Sequence, residues 1–246
     1  MAEILRNQKI CVVIPTYNER ENIASTINKI LKVADENGLN LNILVVDDNS
    51  PDGTGDLVEE ISKKEPRVHL LRRPGKSGLG SAYRDGFNLA IEKLDAEILV
   101  EMDADGSHNP EHLPALIGKI LDGYDVVVGS RYIAGGGIAG WGIKRKIISR
   151  VANWLAKNIC GVKVNDATSG YRAIRAETVR KIGLSSISAS GFSFQVEFLF
   201  LAEKAGFRIG EAPIMFVDRV KAKSKLTFRE ILDFAVQCLK IGLKRL

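Results

Sequence analysis

The chain of 246 residues is poor in the features that mark secreted, membrane-spanning or cysteine-ligated metal proteins. Its three cysteines, Cys11, Cys160 and Cys238, lie too far apart for a paired motif, which argues against a disulfide framework and a zinc site and suits a reducing compartment. Each reads as a small core hydrophobe. No apolar run reaches the roughly 18 residues that a bilayer span requires, and residues 1–9 mix charges with apolar groups, so no signal peptide is visible. Histidine is scarce: His69 falls in a predicted strand and reads as structural, while His108 and His112 flank a helix start and read as solvated or capping groups. There is no internal repeat, low-complexity tract or linker. No GxGxxG follows the first predicted strand, which disfavours a dinucleotide-dependent dehydrogenase. A net charge of +5 is modest; it is compatible with anionic substrates without demonstrating them, and nothing in the chain calls for a nucleic-acid partner.

What is present is an alternation of short apolar runs with segments of helical period, the pattern of βαβ units and a mostly parallel sheet. Residues 10–14 predict the first strand. Ile23, Ile27, Ile30, Leu31 and Ala34 then share a helical face, and Gly38 suits the left-handed residue that ends such a helix. Residues 41–46, 68–71, 98–102 and 126–128 predict four more strands. Leu57, Val58 and Ile61 mark a short helix, Tyr83, Phe87, Ala90, Ile91 and Leu94 a longer one, and Pro110 is placed to open a helix ending at Leu121. The second half is less regular: a Gly-rich loop over 135–142, a basic amphipathic segment over 144–159, a turn over 165–170, a helix over 192–205, and extended chain over 207–217 broken at Pro213. Thr227-Phe228-Arg229-Glu230 forms a capping box before the last helix. The expected organisation is one α/β domain over 1–225 and an amphipathic helix over 226–246.

The stretch Ile98-Leu99-Val100-Glu101-Met102-Asp103-Ala104-Asp105 carries the most information: an apolar run ends in two carboxylates one residue apart. In open α/β sheets ligands bind just beyond the carboxyl ends of the strands. Side chains alternate along extended chain, so Asp103 and Asp105 would point the same way and grip one hard cation, leaving open positions for the phosphate oxygens of a nucleotide diphosphate. Pro15-Thr16-Tyr17-Asn18-Glu19 follows the first strand, Asp47-Asp48 the second, and Gly129-Ser130-Arg131 the fifth. If these strands are parallel neighbours, the clusters meet on one rim. Tyr17 could then pack on a base, Glu19 and Asp48 accept hydrogen bonds from a base edge or ribose, and Arg131 meet a phosphate in bidentate fashion. Singly each has an ordinary role, as solvated turn, helix N-terminal charge, Asx turn or surface cation; jointly they point to a site. A nucleotidyltransferase would also use paired carboxylates and a metal, but would be expected to carry a Gly/Arg/Lys-rich loop where this chain has PTYNE.

The strings VVIPTYNERENI, VVDDNSPDGT, MDADGSH, GSRY, WGIKRKIISR, ATSGYR and FVDRVKAKSKL, spread over nearly the whole chain, resemble the dolichol-phosphate (polyprenol-phosphate) mannosyltransferases among the inverting family-two glycosyltransferases. The first three strings are shared by the wider family; the later ones narrow the match to enzymes acting on a polyprenyl phosphate. The resemblance implies a GT-A fold, GDP-mannose as donor, polyprenyl phosphate as acceptor, and Mg²⁺ or Mn²⁺ as cofactor. It implies that Pro15, Tyr17, Glu19, Val46 and Asp48 contact the guanosine, and that Asp103, Ala104 and Asp105 line the ribose and diphosphate. Asp105 and Ser107 would hold the metal, with Asp103 as a further ligand; some relatives have Gln at the Ser107 position, and Ser can act through water. Arg131 and Arg145 would bind the acceptor phosphate, and Arg219 and Lys225 would close a loop over the donor diphosphate. That loop reads Ala222-Lys223-Ser224-Lys225 where the family commonly has Gly-Glu-Ser-Lys, which restricts its backbone freedom. Asp105, Arg131 and Arg219 are the residues expected to serve catalysis. None of the motifs fixes the sugar, so UDP-glucose or UDP-N-acetylhexosamine is an alternative donor, and a non-catalytic sugar-nucleotide-binding subunit a further alternative.

An acceptor with a polyprenyl tail lies in a bilayer, so the expected location is peripheral, on the cytoplasmic side of a membrane, with a small membrane-anchoring subunit as a candidate partner. Ile147, Ile148, Val151, Trp154, Leu155 and Ile159 share one face of the basic segment, edged by Lys144, Arg145, Lys146, Arg150 and Lys157. That pattern suits either an interfacial helix or a helix packed on the core with solvated cations. The last helix is equally ambiguous: Phe228, Ile231, Leu232, Ala235, Cys238 and Leu239 read as too apolar for free exposure, while Lys240, Lys244 and Arg245 forbid a span.

Overall fold

The computed structural model describes residues 7–187, 189, 191–218 and 228–244, without the side chains of 192 and 228–230. Strands β1 (Ile10–Thr16), β2 (Leu41–Asp47), β3 (Val68–Arg72), β4 (Ile98–Glu101), β5 (Val126–Ser130), β7 (Arg172–Arg175) and β8 (Ile209–Pro213) form one sheet in the order β3-β2-β1-β4-β7-β5-β8. β3, β2, β1 and β4 are parallel, β7 runs antiparallel to both β4 and β5, and β5 pairs in parallel with β8. Helices α1 (Arg20–Asn37), α2 (Thr54–Ser62), α3 (Leu79–Lys93), α4 (Leu113–Leu121), α5 (Ile143–Leu155), α6 (Ala176–Ile182), α7 (Phe192–Lys204) and α8 (Phe228–Leu243) surround it. Short strands β6 (Gly137–Ala139) and β9 (Met215–Val217) pair with each other in a separate two-stranded sheet.

Alternation along β1 explains the two hydrophobic layers. Cys11 and Val13 face a core with Tyr83 and Phe87 of α3 and Phe194 and Phe198 of α7, while Ile10, Val12 and Ile14 face Ile23, Ile27 and Ile30 of α1 and Leu113 and Leu116 of α4. α3 approaches the sheet closely because Gly86 sits over Val13 and Val46; a Cβ there would lie 2.6 Å from a Val13 methyl. Gly38 ends α1 in the left-handed region, at φ 62°, as its position predicts.

Several expectations need correction. The fourth and fifth strands are not neighbours, because β7 lies between them; their carboxyl ends still share a rim, since two antiparallel pairings restore the direction. β7 and α6 have no counterpart in the sequence reading. The four residues of β7 begin and end with arginine, which hides a buried strand: Arg172 is fully buried, donating to the carbonyls of Ala167, Ser169 and Gln195. Its guanidinium lies 4.0 Å from the buried Glu101 carboxylate, and burial pushes Glu101 up to about 7 and Arg172 down to about 10. Part of the Gly-rich loop is β6, and a 3-10 turn (Pro110–His112) precedes α4.

α5 continues as a π-helical turn (Ala156–Cys160), against which α8 packs through the fully buried Cys238 and Ile241. The apolar face predicted for the 144–159 segment divides: Leu155 and Ile159 pack on the core, whereas Ile147, Val151 and Trp154 are exposed, Trp154 by 60%, as is the neighbouring Ile143 by 78%. On α8, Phe234, Cys238 and Ile241 are buried, but Leu232 and Leu239, expected to be covered, are each more than half exposed, as is Leu243. The capping-box residue Thr227 lies outside the described residues.

Candidate active site

The carboxyl ends of β1, β2, β4 and β5 bring together most of the predicted residues, each held by local chemistry. At the end of β2 the two aspartates divide their roles. Asp47 is fully buried and structural, its carboxylate accepting from the Thr16 hydroxyl at 2.9 Å, the Ser50 hydroxyl at 2.6 Å and the Ser50 amide at 3.0 Å. Asp48 turns the other way and meets the buried Arg73 guanidinium at 2.5 Å. Burial raises the Asp48 carboxyl above its ordinary value, with Arg73 pulling it back and Asp47 adding to the rise. Asn18 and Asn49 carry the turns after β1 and β2 with positive φ, a conformation Asn tolerates better than most residues. Tyr17 is 41% exposed with the Lys76 ammonium 4.6 Å from its ring centroid. Glu19 fills the N-cap position of α1 and accepts from Asn22 at 2.8 Å, so its ordinary role is also realised. Pro15 lies at the same rim, but Val46 is fully buried beneath α3, so its side chain is not part of the cluster.

β4 ends at Glu101, and residues 104–106 turn. Strand alternation therefore does not run through the Asp-x-Asp triplet; a turn held at three points presents it instead. The Thr26 hydroxyl donates to the Ala104 carbonyl at 2.8 Å, the Asp103 amide donates to Nδ1 of His108 at 3.1 Å, and the Ser107 amide donates to Asp105 at 2.9 Å. His108 is consequently no solvated cap. It is 3% exposed, stacked on Tyr171, and its Nδ1 acts as acceptor, which leaves the ring proton on Nε2, 3.8 Å from the Asp103 carboxylate. His112 accepts the Met215 amide and so ties β9 to the same region.

Among the described residues no group of three or more His, Cys, Asp or Glu could hold a metal. A cation here would rest on the two aspartates and Ser107, whose hydroxyl is buried with no hydrogen-bond partner among the described residues. This sparse oxygen set fits Mg²⁺ or Mn²⁺ that completes its shell with phosphate and water.

On the other side of the rim Arg131 immediately follows β5. Its fork is already taken: Nε and Nη2 clasp the fully buried Asp166 at 2.7 and 2.6 Å, and Nη2 also reaches Thr168. A bidentate grip on a phosphate is therefore not available to it, and Nη1 alone has no hydrogen bond among the described residues. Burial would lower Arg131, but Asp166 outweighs it and holds the guanidinium above its ordinary value. Trp141 lies between Arg131, 5.2 Å from its ring, and Arg145, 4.0 Å away, and Arg145 also pairs with Asp218 at 2.6 Å. Arg131, Arg145 and Asp103 line the polar end of a cavity of about 250 Å³ whose walls are apolar side chains of α5 and α8, among them Ile148, Leu155 and Phe234. Arg219 and Lys225 lie outside the described residues.

Residues 11–183 match the model of glycosyl transferase family 2. The chain belongs to that family. Among curated members of known name, it is 39% identical over 244 residues to the polyprenol monophosphomannose synthase of Mycolicibacterium smegmatis, covering 99% of this chain and 90% of that protein. It is 40% identical over 235 residues to the undecaprenyl-phosphate mannosyltransferase of Micrococcus luteus, covering 96% and 94%. In fold it is similar to the glucosyl-3-phosphoglycerate synthase of Mycobacterium tuberculosis solved with Mn²⁺, uridine diphosphate and phosphoglyceric acid. That structure matches with a TM-score of 0.68 and 21% identity over 100% of this chain and 82% of that one. The family-2 architecture is thus the expected α/β GT-A fold, and the chain is a glycosyltransferase.

The sequence reading missed Asp166, Trp141, His108 and Arg73. Asp166 sits in a turn-forming string where an acid looks ordinary, and only the fold brings it to Arg131. Replacing Asp166 with alanine strands a buried guanidinium, so the variant is expected to lose about 3–5 kcal/mol of stability in urea unfolding; a loss under about 1 kcal/mol would show that the pair is not buried as described.

Proposed function

We propose that the protein transfers mannose from GDP-mannose to a polyprenyl phosphate with inversion, giving a β-linked mannosyl phosphate, in a metal-dependent reaction. The observation that carries this reading is a cavity in which Asp103 and two arginines meet apolar walls from α5 and α8. Such a cavity suits a ligand with an anionic head and a hydrocarbon tail beside a sugar-nucleotide site. The names of two nearly full-length relatives support the same acceptor class and sugar.

Tyr17, Glu19 and Asp48 receive the guanosine, with Pro15 and the Val46 backbone beside them, and Asp103, Ala104 and Asp105 meet the ribose and diphosphate. The acceptor phosphate is drawn to Arg145 and the remaining Nη1 of Arg131. As a dianion it is already a nucleophile, so no side chain need act as base in its attack on the anomeric carbon. A bound divalent cation at Asp103, Asp105 and Ser107 would supply neutralisation of charge on the departing GDP. Arg219 and Lys225, which lie outside the described residues, would add positive charge to offset that of the diphosphate.

The exposed apolar rows on α5 and α8, with Lys144, Arg150 and Lys157 exposed around the first, suit contact with an anionic membrane surface. Among the described residues no helix is long and apolar enough to cross a membrane. We place the protein on the cytoplasmic face as a peripheral protein, where a small anchoring subunit could join it.

Three outcomes test this reading. With polyprenyl phosphate and Mg²⁺ or Mn²⁺, label from GDP-mannose should pass into the organic phase; label passing only from UDP-glucose or UDP-N-acetylhexosamine overturns the donor assignment. Asp105→Ala should lower transfer by roughly a hundredfold or more with an unchanged circular dichroism spectrum, whereas near-normal turnover refutes the metal role. In liposome flotation the protein should rise with anionic vesicles, and a protein that stays at the bottom with every lipid composition counts against docking.

A further inference from the structure

The loop that follows β3 borders the site at Asp48 and Tyr17. Arg73 stands at its start with a side chain only 5% exposed. Every nitrogen of its guanidinium is engaged: Nη1 with Oδ1 of Asp48 at 2.5 Å, Nη2 with the Ser81 hydroxyl at 2.5 Å, and Nε with Asp85 at 2.9 Å. Its backbone amide also donates to the Asp47 carbonyl at 2.8 Å, so both ends of the residue are fixed to β2 and α3. Three residues on, Lys76 lies over the Tyr17 ring.

The geometry points to Arg73 as a positioning residue that holds Asp48 as an ionised, oriented acceptor and thereby sets which base the donor site takes. This rests on the reading that Asp48 faces the nucleoside. With Oδ1 held by Arg73, Oδ2 accepts no hydrogen bond from a described residue. An ionised carboxylate offers acceptors only, which match the N1–H and N2–H₂ edge of guanine or the N3–H of uracil and clash with the acceptor nitrogens of adenine and cytosine. Once protonated, it would donate, and that discrimination would fail. The charged groups around Asp48 are Arg73 and Lys76 from the loop and Asp47 from β2, with Asp85 of α3 reaching it through Arg73. Among the described residues Arg73 is the one cation in contact with Asp48, so its loss leaves a buried carboxylate beside another carboxylate, and the Asp48 carboxyl must rise.

The test is the ratio of GDP to ADP affinity, measured by calorimetry between pH 5.5 and 8.5 with Mg²⁺; the ratio cancels titration of the diphosphate itself. Wild-type protein should keep a high ratio to lower pH than Arg73→Met. In the variant the ratio should fall by roughly tenfold at neutral pH and recover as pH rises, while bound ADP changes little. Asp85→Asn removes an anchor from a side chain that is 45% exposed, so it should fold normally and shift the profile in the same direction by less. Should Arg73→Met be unfolded by circular dichroism, Asp85→Asn carries the test. Asp48→Asn separates the two claims. If Asp48→Asn keeps the wild-type ratio, the nucleoside reading itself fails. If it lowers the ratio while Arg73→Met and Asp85→Asn leave the wild-type profile unmoved, the nucleoside reading stands and the role given to Arg73 is refuted.

Discussion

The site depends on one constraint: a pair of carboxylates must be held at the end of β4 in a turn that cannot drift. Aspartates one residue apart on an unrestrained loop would separate into solvent, where each is best hydrated. Here the intervening carbonyl is bound by Thr26 of α1, the amide before it by His108, and the second carboxylate by the Ser107 amide. Helix, strand and following turn therefore define one geometry for the two carboxylates.

The Arg131 side of the rim solves the opposite problem, concentrating positive charge without letting it unfold the edge of the sheet. Arg131 is neutralised on one flank by a buried aspartate and faces aromatic rings on the other; Arg145 stacks on the same indole and leans on Asp218. Much of the hydrogen-bonding capacity of these arginines is taken up by structure: Asp166 and Thr168 hold Arg131, and Asp218 holds Arg145. The antiparallel β7 makes this possible. By running back toward the rim between β4 and β5, it delivers the 165–170 turn, and with it Asp166, to the point where β5 ends.

Much of this is legible in the sequence, and the part that is not has a physical reason. β1, β2, β4 and β5 announce themselves because strands buried on both faces are continuous apolar runs, and the polar clusters that follow them are where parallel topology puts ligands. β7 escapes because its arginines find buried carbonyl and carboxylate partners that only the fold supplies. His108 looks like an exposed cap from its place before a helix, whereas Tyr171 and Phe216, distant in sequence, enclose it. The division of α5 and α8 into buried and exposed apolar rows also lies beyond periodicity, since a helix of strong apolar character does not say which part of its face meets the core and which a neighbour or a membrane. Motif resemblance reached the rim residues but not the ones that hold them in place, because restraint is distributed through contacts rather than written at fixed spacing.

The central claim, that the aspartate pair beyond β4 serves a metal-bound diphosphate, is tested most directly by titrating the protein with GDP in the presence and absence of Mg²⁺. The account predicts markedly tighter binding with the metal, and loss of that gain when Asp103 and Asp105 are both replaced by asparagine. Equal affinity with and without Mg²⁺ in the folded wild-type protein would contradict it.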